Sequence, residues 1–179
     1  MSLSITIKAE KAKKRFRDLQ KRVSNPSTAM DVIATKAWKN VQKHFRDEKG
    51  KGGKTWPRLK NPRVHWAPGI TEPKLRGGTK VLQDTGTLRS SISFRSLKKE
   101  AHVFTRSPYA GIHNFGGNVP ARKPRRKKFL KMYIGGQKIF TKYAKGFRMQ
   151  KREFMYLDKR ARKSINQFFL RYWVDGAKA

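Results

Sequence analysis

Apolar residues recur every three or four positions in two long runs near the start of the chain. In "EKAKKRFRDLQKRV" they are Ala12, Phe16, Leu19 and Val23; after the break "SNPS" they are Met30, Ile33, Ala37, Trp38, Val41 and Phe45. A stripe with this period is what a helix needs to bury one face. Asn25 and Pro26 supply an N-cap and a first-turn residue for the second helix. A third run, residues 158–174, sets Ala161, Ile165, Phe168, Phe169 and Tyr172 on one side and predicts a core-packing C-terminal helix. Alternation with a period of two predicts strands at "SITIKA", at Ser91 to Leu97 and at Ala101 to Ser107. The last two are joined near Lys98 to Glu100, with Ile92, Phe94 and Leu97 marking the buried side. "KMYIGGQKIFTKY" predicts a further hairpin, because Gly135 and Gly136 give a tight turn its positive φ.

These elements predict an α+β fold, an antiparallel sheet packed by N-terminal and C-terminal helices with a basic hairpin insertion at about 118–151. At 179 residues the chain suits one domain with extensions. Residues 48–79, rich in Lys, Gly, Pro and Trp without periodicity, predict a long loop, which in a compact domain is usually functional.

Charge narrows the class of partner. Lys+Arg 45 against Asp+Glu 11 leaves +34, more than internal ion pairs absorb, so the excess faces solvent or an anion. Nucleic acid, an acidic protein or an anionic membrane each satisfies that electrostatics. The excess is concentrated: no acid occurs between Ala101 and Arg152, and "RKPRRKKFLK" sets Arg122, Lys123, Arg125, Arg126, Lys127 and Lys128 together. This run reads as a phosphate-tracking arm in preference to a merely solvated face. Phe129, Tyr133, Phe140, Tyr143 and Phe147 interleave with it, and their strand-like spacing favours core or subunit contacts over stacking on bases. Cys 0 excludes disulfides and thiolate metal sites. The N-terminus lacks the apolar core of a signal peptide and no window approaches a membrane span, so a soluble protein made in a cytoplasm, with no membrane partner, is expected.

Candidate chemistry is sparse. The eleven acids are scattered, and Asp47 with Glu48 reads as the end of a solvated helix in place of a metal site. His44, His65, His102 and His113 lack metal-ligand spacing, and His113 reads as a hydrogen-bonded structural residue in a turn ahead of a general base. "GIHNFGG" lacks the spacing of a phosphate loop. No catalytic residue, metal or cofactor is expected, and a nuclease is a distant reading.

Against this cationic background, "VLQDTGTLRSSI" holds one acid, one base, one glycine and a row of hydroxyls. "LQDTGTLRSSI", followed by "SPYAGIHNFGG", resembles the phage virion morphogenesis (tail completion) family of Mu-like tailed phages. The matching positions are Leu82, Thr85, Gly86, Leu88, Ser91 and Ile92, then Tyr109, Ala110, His113, Phe115, Gly116 and Gly117. Phe45 ahead of a Gly/Lys loop and "TWPRL" is similar to the family's F, G, W, L region, and "KREFMYLDKRARKSINQFF" to its R-x-F lead into a terminal helix. The resemblance covers about 38–117 and 152–174; between them lies either an insertion or, in "NVPARKPRRKKFL", a second candidate for the R-x-F element.

The resemblance implies a non-enzymatic virion protein at the neck or tail end, made in the host cytoplasm. It also implies a ring, six-fold, meeting the tail tube and the neck or portal-connector proteins. Thr85 and Gly86 then make a sharp turn feeding Leu88 into the core, and Ser90, Ser91 and Ser93 leave an uncharged docking surface. Tyr109, Ile112 and Phe115 are expected to be buried in a compact turn. Neutral motifs would dock the subunit while basic segments flank a channel for packaged DNA. The alternative is a stand-alone nucleic-acid-binding protein.

Overall fold

The computed structural model describes residues 9–58, 64–65, 74–75, 80–83, 85–125, 128–134 and 137–176. The expected strand at "SITIKA" therefore lies almost wholly outside the described residues. Contacts gather into two compact units: the described parts of Met1–Trp38, Phe94–Val103 and Lys159–Ala179, and those of Lys39–Ser93 and Phe104–Asp158.

The first unit begins with helix α1, Glu10–Ser24, whose Glu10 stands in the first turn and Lys21 and Arg22 in the last, complementing the helix dipole. It buries no residue, and Phe16 and Val23 of its apolar stripe are exposed. Helix α2, Ser27–Asp47, starts with Pro26 O accepting the Met30 N–H. Because Pro26 O accepts that first bond, Pro26 stands at the cap position, one residue after the Asn25 expected there, and the Asn25 N–H closes α1 on Lys21 O. Ala29 and Met30 of α2 form the unit's small core with Tyr172 of the last helix, and Ile33, Ala101, Phe168, Phe169 and Trp173 pack around them. Lys36 bonds Ser164 at 3.3 Å and sits 5.9 Å from the centre of the Phe168 ring.

The second unit is built around the second half of α2. Phe45 is fully buried, edge-on to Trp56 at 5.5 Å and tilted against Phe154 at 5.0 Å. After α2 comes a tight 3-10 turn, Lys51–Gly53, flanked by a bridge between Lys49 and Thr55 that delivers Trp56 to the core. The described parts of the expected long loop also include β1, Val64–His65, paired with β2, Lys74–Leu75. Then follow α3 (Thr87–Ser90), β3 (Ile92–Ser96), β4 (Ala101–Thr105), α4 (Ala110–Phe115) and β5 (Gly117–Val119). β6 (Leu130–Ile134), β7 (Gln137–Thr141), β8 (Phe147–Met149) and α5 (Lys159–Asp175) complete the order.

The fold is α+β, helices with small antiparallel sheets. The described strands form four two-stranded sheets, β1-β2, β3-β4, β5-β8 and β6-β7, where a single sheet was expected. Such narrow sheets bury little of either face. Ile92 is buried, but Phe94, two positions along, is 41% exposed with its ring 5.6 Å from Trp38, and Leu97 is exposed as well. Both had been expected on the buried side.

The segment from Gly117 to Met149 folds back on itself. Gly117 pairs with Met149 and Val119 with Phe147; Arg122 and Ala144 bridge by two 2.9 Å bonds; Leu130 pairs with Thr141 and Ile134 with Gln137. Each pairing nests inside the one before it, as in one long hairpin. The Gly135-Gly136 turn lies outside the described residues.

Candidate assembly site

All twelve motif residues named from the sequence lie in the second unit. The first motif is fixed to α2 by polar contacts. The Glu48 carboxylate accepts the Val81 N–H, and the Gln83 side-chain amide donates to Phe45 O. Glu48, expected on a solvated helix end, is thus half-buried and tied down, and it turns out of the helix at φ 51. Leu82 stands between the two links at φ 61, a conformation that costs a non-glycine residue about 1–2 kcal/mol and persists where neighbours over-determine it.

Gly86 turns the chain into α3 at φ 73, with open space where a Cβ would stand, so its requirement is conformational. The Ser90 N–H closes on Gly86 O at 2.9 Å, and Leu88 is thereby buried. Thr85 Oγ1 meets Thr87 Oγ1 at 2.6 Å, and Ser91 Oγ donates to Leu88 O and lies 2.7 Å from Thr105 Oγ1. Ile92 is buried below, while Thr85, Thr87, Ser90 and Ser93 are exposed. Arg89 carries a link absent from the sequence reading: its Nε donates to Gln42 Oε1 at 2.8 Å, its Nη1 to Gln83 Oε1 at 3.3 Å, and Gln42 donates back to Arg89 O at 3.2 Å.

The second motif does not bury its aromatics. Tyr109 is 42% and Phe115 is 73% exposed, and Ile112 only half-buried. Residues 110–115 form the short helix α4, and the face it turns inward carries Ala110 and Asn114, one turn apart. Asn114 is buried, and its Oδ1 accepts the N–H groups of Phe154 and Met155, both at 3.0 Å. His113 belongs to this helix, its ring edge-on to Tyr109, and His113 O accepts the Arg152 N–H at 2.8 Å. Gly116 sits at φ 72, and a Cβ there would stand 3.0 Å from Lys151 N, so both shape and conformation call for glycine.

The Phe45, "TWP" and "KREF" fragments converge. Trp56 Nε1 donates to Glu153 O at 3.0 Å, and Arg152 Nε donates to Pro57 O at 3.1 Å. Burial pulls the Arg152 guanidinium below its ordinary pKa, though it remains a cation. Of the two candidate R-x-F elements, the phenylalanine of "KREF" is fully buried and Phe129 is exposed. His44 completes the cluster: Nδ1 lies 2.9 Å from Phe154 O and the ring stacks on Tyr156 at 3.9 Å. Desolvation lowers its pKa, against the raising effect of the Phe154 carbonyl. Burial, with Asp158 and Glu153 nearby, pushes the Tyr156 hydroxyl up.

In the basic segment, Arg122, Lys123, Arg125 and Lys128 are exposed, whereas Arg126 and Lys127 lie outside the described residues. Phe129, Phe140, Tyr143 and Phe147 are exposed too, so within this chain they are not core. Among the described residues no group of three or more His, Asp or Glu is placed to hold a metal ion, and no helix is long and apolar enough to cross a membrane.

Compared with known families, the chain matches the phage virion morphogenesis family over residues 7–173, including the span between 117 and 152. The chain belongs to that family. No curated protein and no solved structure matches it. Membership in the phage virion morphogenesis family gives the chain a structural part in the virion and places it outside the known enzyme families. Within that family identity, the matching motif positions divide into buried supports (Leu88, Ile92, Ala110), half-buried side chains (Ser91, His113), backbone turns (Leu82, Gly86, Gly116, Gly117) and exposed side chains (Thr85, Tyr109, Phe115).

Proposed function

We propose that this chain is a structural protein of the phage neck or tail end. Its copies form a ring, six-fold, that completes the tail or joins head to tail, seated on the tail tube and neck or portal-connector proteins. The observation that carries this reading is what the two motifs do: they spend their buried groups on holding a shape and leave hydroxyls, Tyr109 and Phe115 outside. Groups of that kind suit docking, since exposed aromatic side chains are common anchors in interfaces. The exposed cations of 118–151 then lie toward packaged DNA or acidic neighbours, either of which relieves the repulsion among copies of a +34 chain.

The test is electron microscopy of particles produced with the gene deleted. Free full heads and unjoined or overlong tails are expected; infectious, joined particles would overturn the reading. The exposed pairing of Lys128 with Phe129, 5.9 Å apart, keeps a stand-alone nucleic-acid binder as the second reading. Association with tails or connectors that survives high salt separates the two, because phosphate contacts weaken steeply as salt rises.

A further inference from the structure

A depression of about 430 Å³ opens in the second unit, lined by Lys39, Asn40, Gln42, Lys43 and Arg46 of α2 and by Arg89 of α3. We infer that it is a docking groove for an acidic peptide segment of a partner protein. Four of its six lining residues are cations and none is a carboxylate. Lys39, Lys43 and Arg46 follow one another at helical spacing along one face of α2. The negative end of the helix accounts for Arg46, in the last turn, but not for a guanidinium brought across from α3.

Arg89 is the informative member. Structural arginines are commonly held by carboxylates, which cancel their charge. Here the acceptors are the neutral amide oxygens of Gln42 and Gln83, at 2.8 and 3.3 Å. Those contacts orient the guanidinium plane while leaving its full positive charge beside the depression. Asn40, which forms the buried part of the wall, is itself fixed by Asp158 at 2.9 Å, so the groove is rigid on that side. Among the described ion pairs, the only one made by a groove residue is the pair of Arg46 with Asp47, at 3.3 Å on the surface.

Concavity selects the occupant. The depression is open to solvent, and its volume of about 430 Å³ gives side chains room to enter without enclosing a ligand. Duplex DNA presents its phosphates on a convex, stiff cylinder and meets a protruding basic arm better than a recess. Two or three carboxylate side chains on a flexible strand of peptide can enter it. A second copy of this chain is a poor source, with Asp+Glu 11 scattered among Lys+Arg 45. Assigning the segment to another virion protein rests on the assembly reading above; the affinity of the groove for carboxylates does not.

The test is fluorescence anisotropy of the full chain with a labelled peptide of alternating Asp and Ser, near physiological ionic strength. Two double variants remove equal charge: Lys39→Gln with Lys43→Gln in the groove, and Arg122→Gln with Lys123→Gln on the arm. The groove variant is expected to bind the peptide about fivefold or more weakly, and the arm variant to lose less than about half as much. Equal losses, or no binding by the parent chain, would overturn the inference by reducing the effect to net charge or to nothing. A groove variant that loses more affinity for a DNA duplex than for the peptide would overturn it too, by making the groove a phosphate site. Gene deletion reads the assembly function and the titration reads the groove, so failure of one is distinguishable from failure of the other.

Discussion

Asn114→Ala isolates one buried hydrogen-bond node. In the parent chain its Oδ1 accepts two backbone N–H groups, that of Phe154, which is fully buried, and that of Met155, which is partly so. Alanine removes that acceptor and leaves both N–H groups without their protein partner. A buried donor left without a partner costs about 1–3 kcal/mol, and a partly exposed one regains much of its bond from water. The sum is about 2–4 kcal/mol, which for a chain of this size corresponds to a fall in Tm of about 4–16 °C. Because the chain divides into two units, a global melt alone does not localise the loss. Native-state hydrogen exchange supplies the location: the amides of Phe154 and Met155 are expected to lose protection, with that of Met30 unchanged. Asn114→Asp keeps an acceptor and should recover most of the loss at neutral pH. A Tm within about 2 °C of the parent, with Phe154 still protected, would refute the assignment of Asn114 as the holder of this segment.

Gly86→Val should cost about 2 kcal/mol or more through φ alone, since no atom lies where its Cβ would stand, and Gly86→Asn should cost less; chemical denaturation measures both. Burial holds His44 below 6.5, so the unfolded chain takes up the proton first: stability is full above pH 6.5 and falls as pH drops toward the folded value. His44→Gln should flatten that limb of the urea midpoint against pH, and an unchanged limb would remove His44 as its cause. Replacing Arg122, Lys123, Arg125 and Lys128 with Gln should lower the slope of log K against log salt for duplex DNA by up to about 3–4, and an unchanged slope would remove the phosphate role. Replacing residues 123–143 with a short turn should leave the near-ultraviolet circular dichroism of Trp56 intact, provided Gly117 still pairs with Met149.

The α+β class was legible because it rests on local period: the stripes of α1 and α2 and the alternation in β3 and β4 are properties of neighbouring residues. Burial within those elements was legible only in part. Phe94 and Phe115 read as core because they are large and apolar, yet a two-stranded sheet and a helix of six residues each have too little surface to cover every such side chain. The polar supports were not legible at all. Glu48 reaches Val81 across 33 residues, Asn114 reaches Phe154 across 40, and Trp56 reaches Glu153 across 97. No periodicity encodes links of that length, and a lone Asn or Glu in a sequence looks the same whether it faces water or a buried amide.

The nested pairing of 117–149 brings Asn114 and Phe154 to neighbouring positions at the base of the hairpin. Whatever happens farther out along the ribbon, the two chain ends entering the Phe45 cluster remain the same distance apart. Doubling the length of an unpaired excursion would add only about 0.6 kcal/mol of closure entropy, and a zipped one adds less. Reach is therefore decoupled from stability in this subunit: the projection can be lengthened, shortened or recharged to suit a different neighbour while the scaffold that carries it stays as it is.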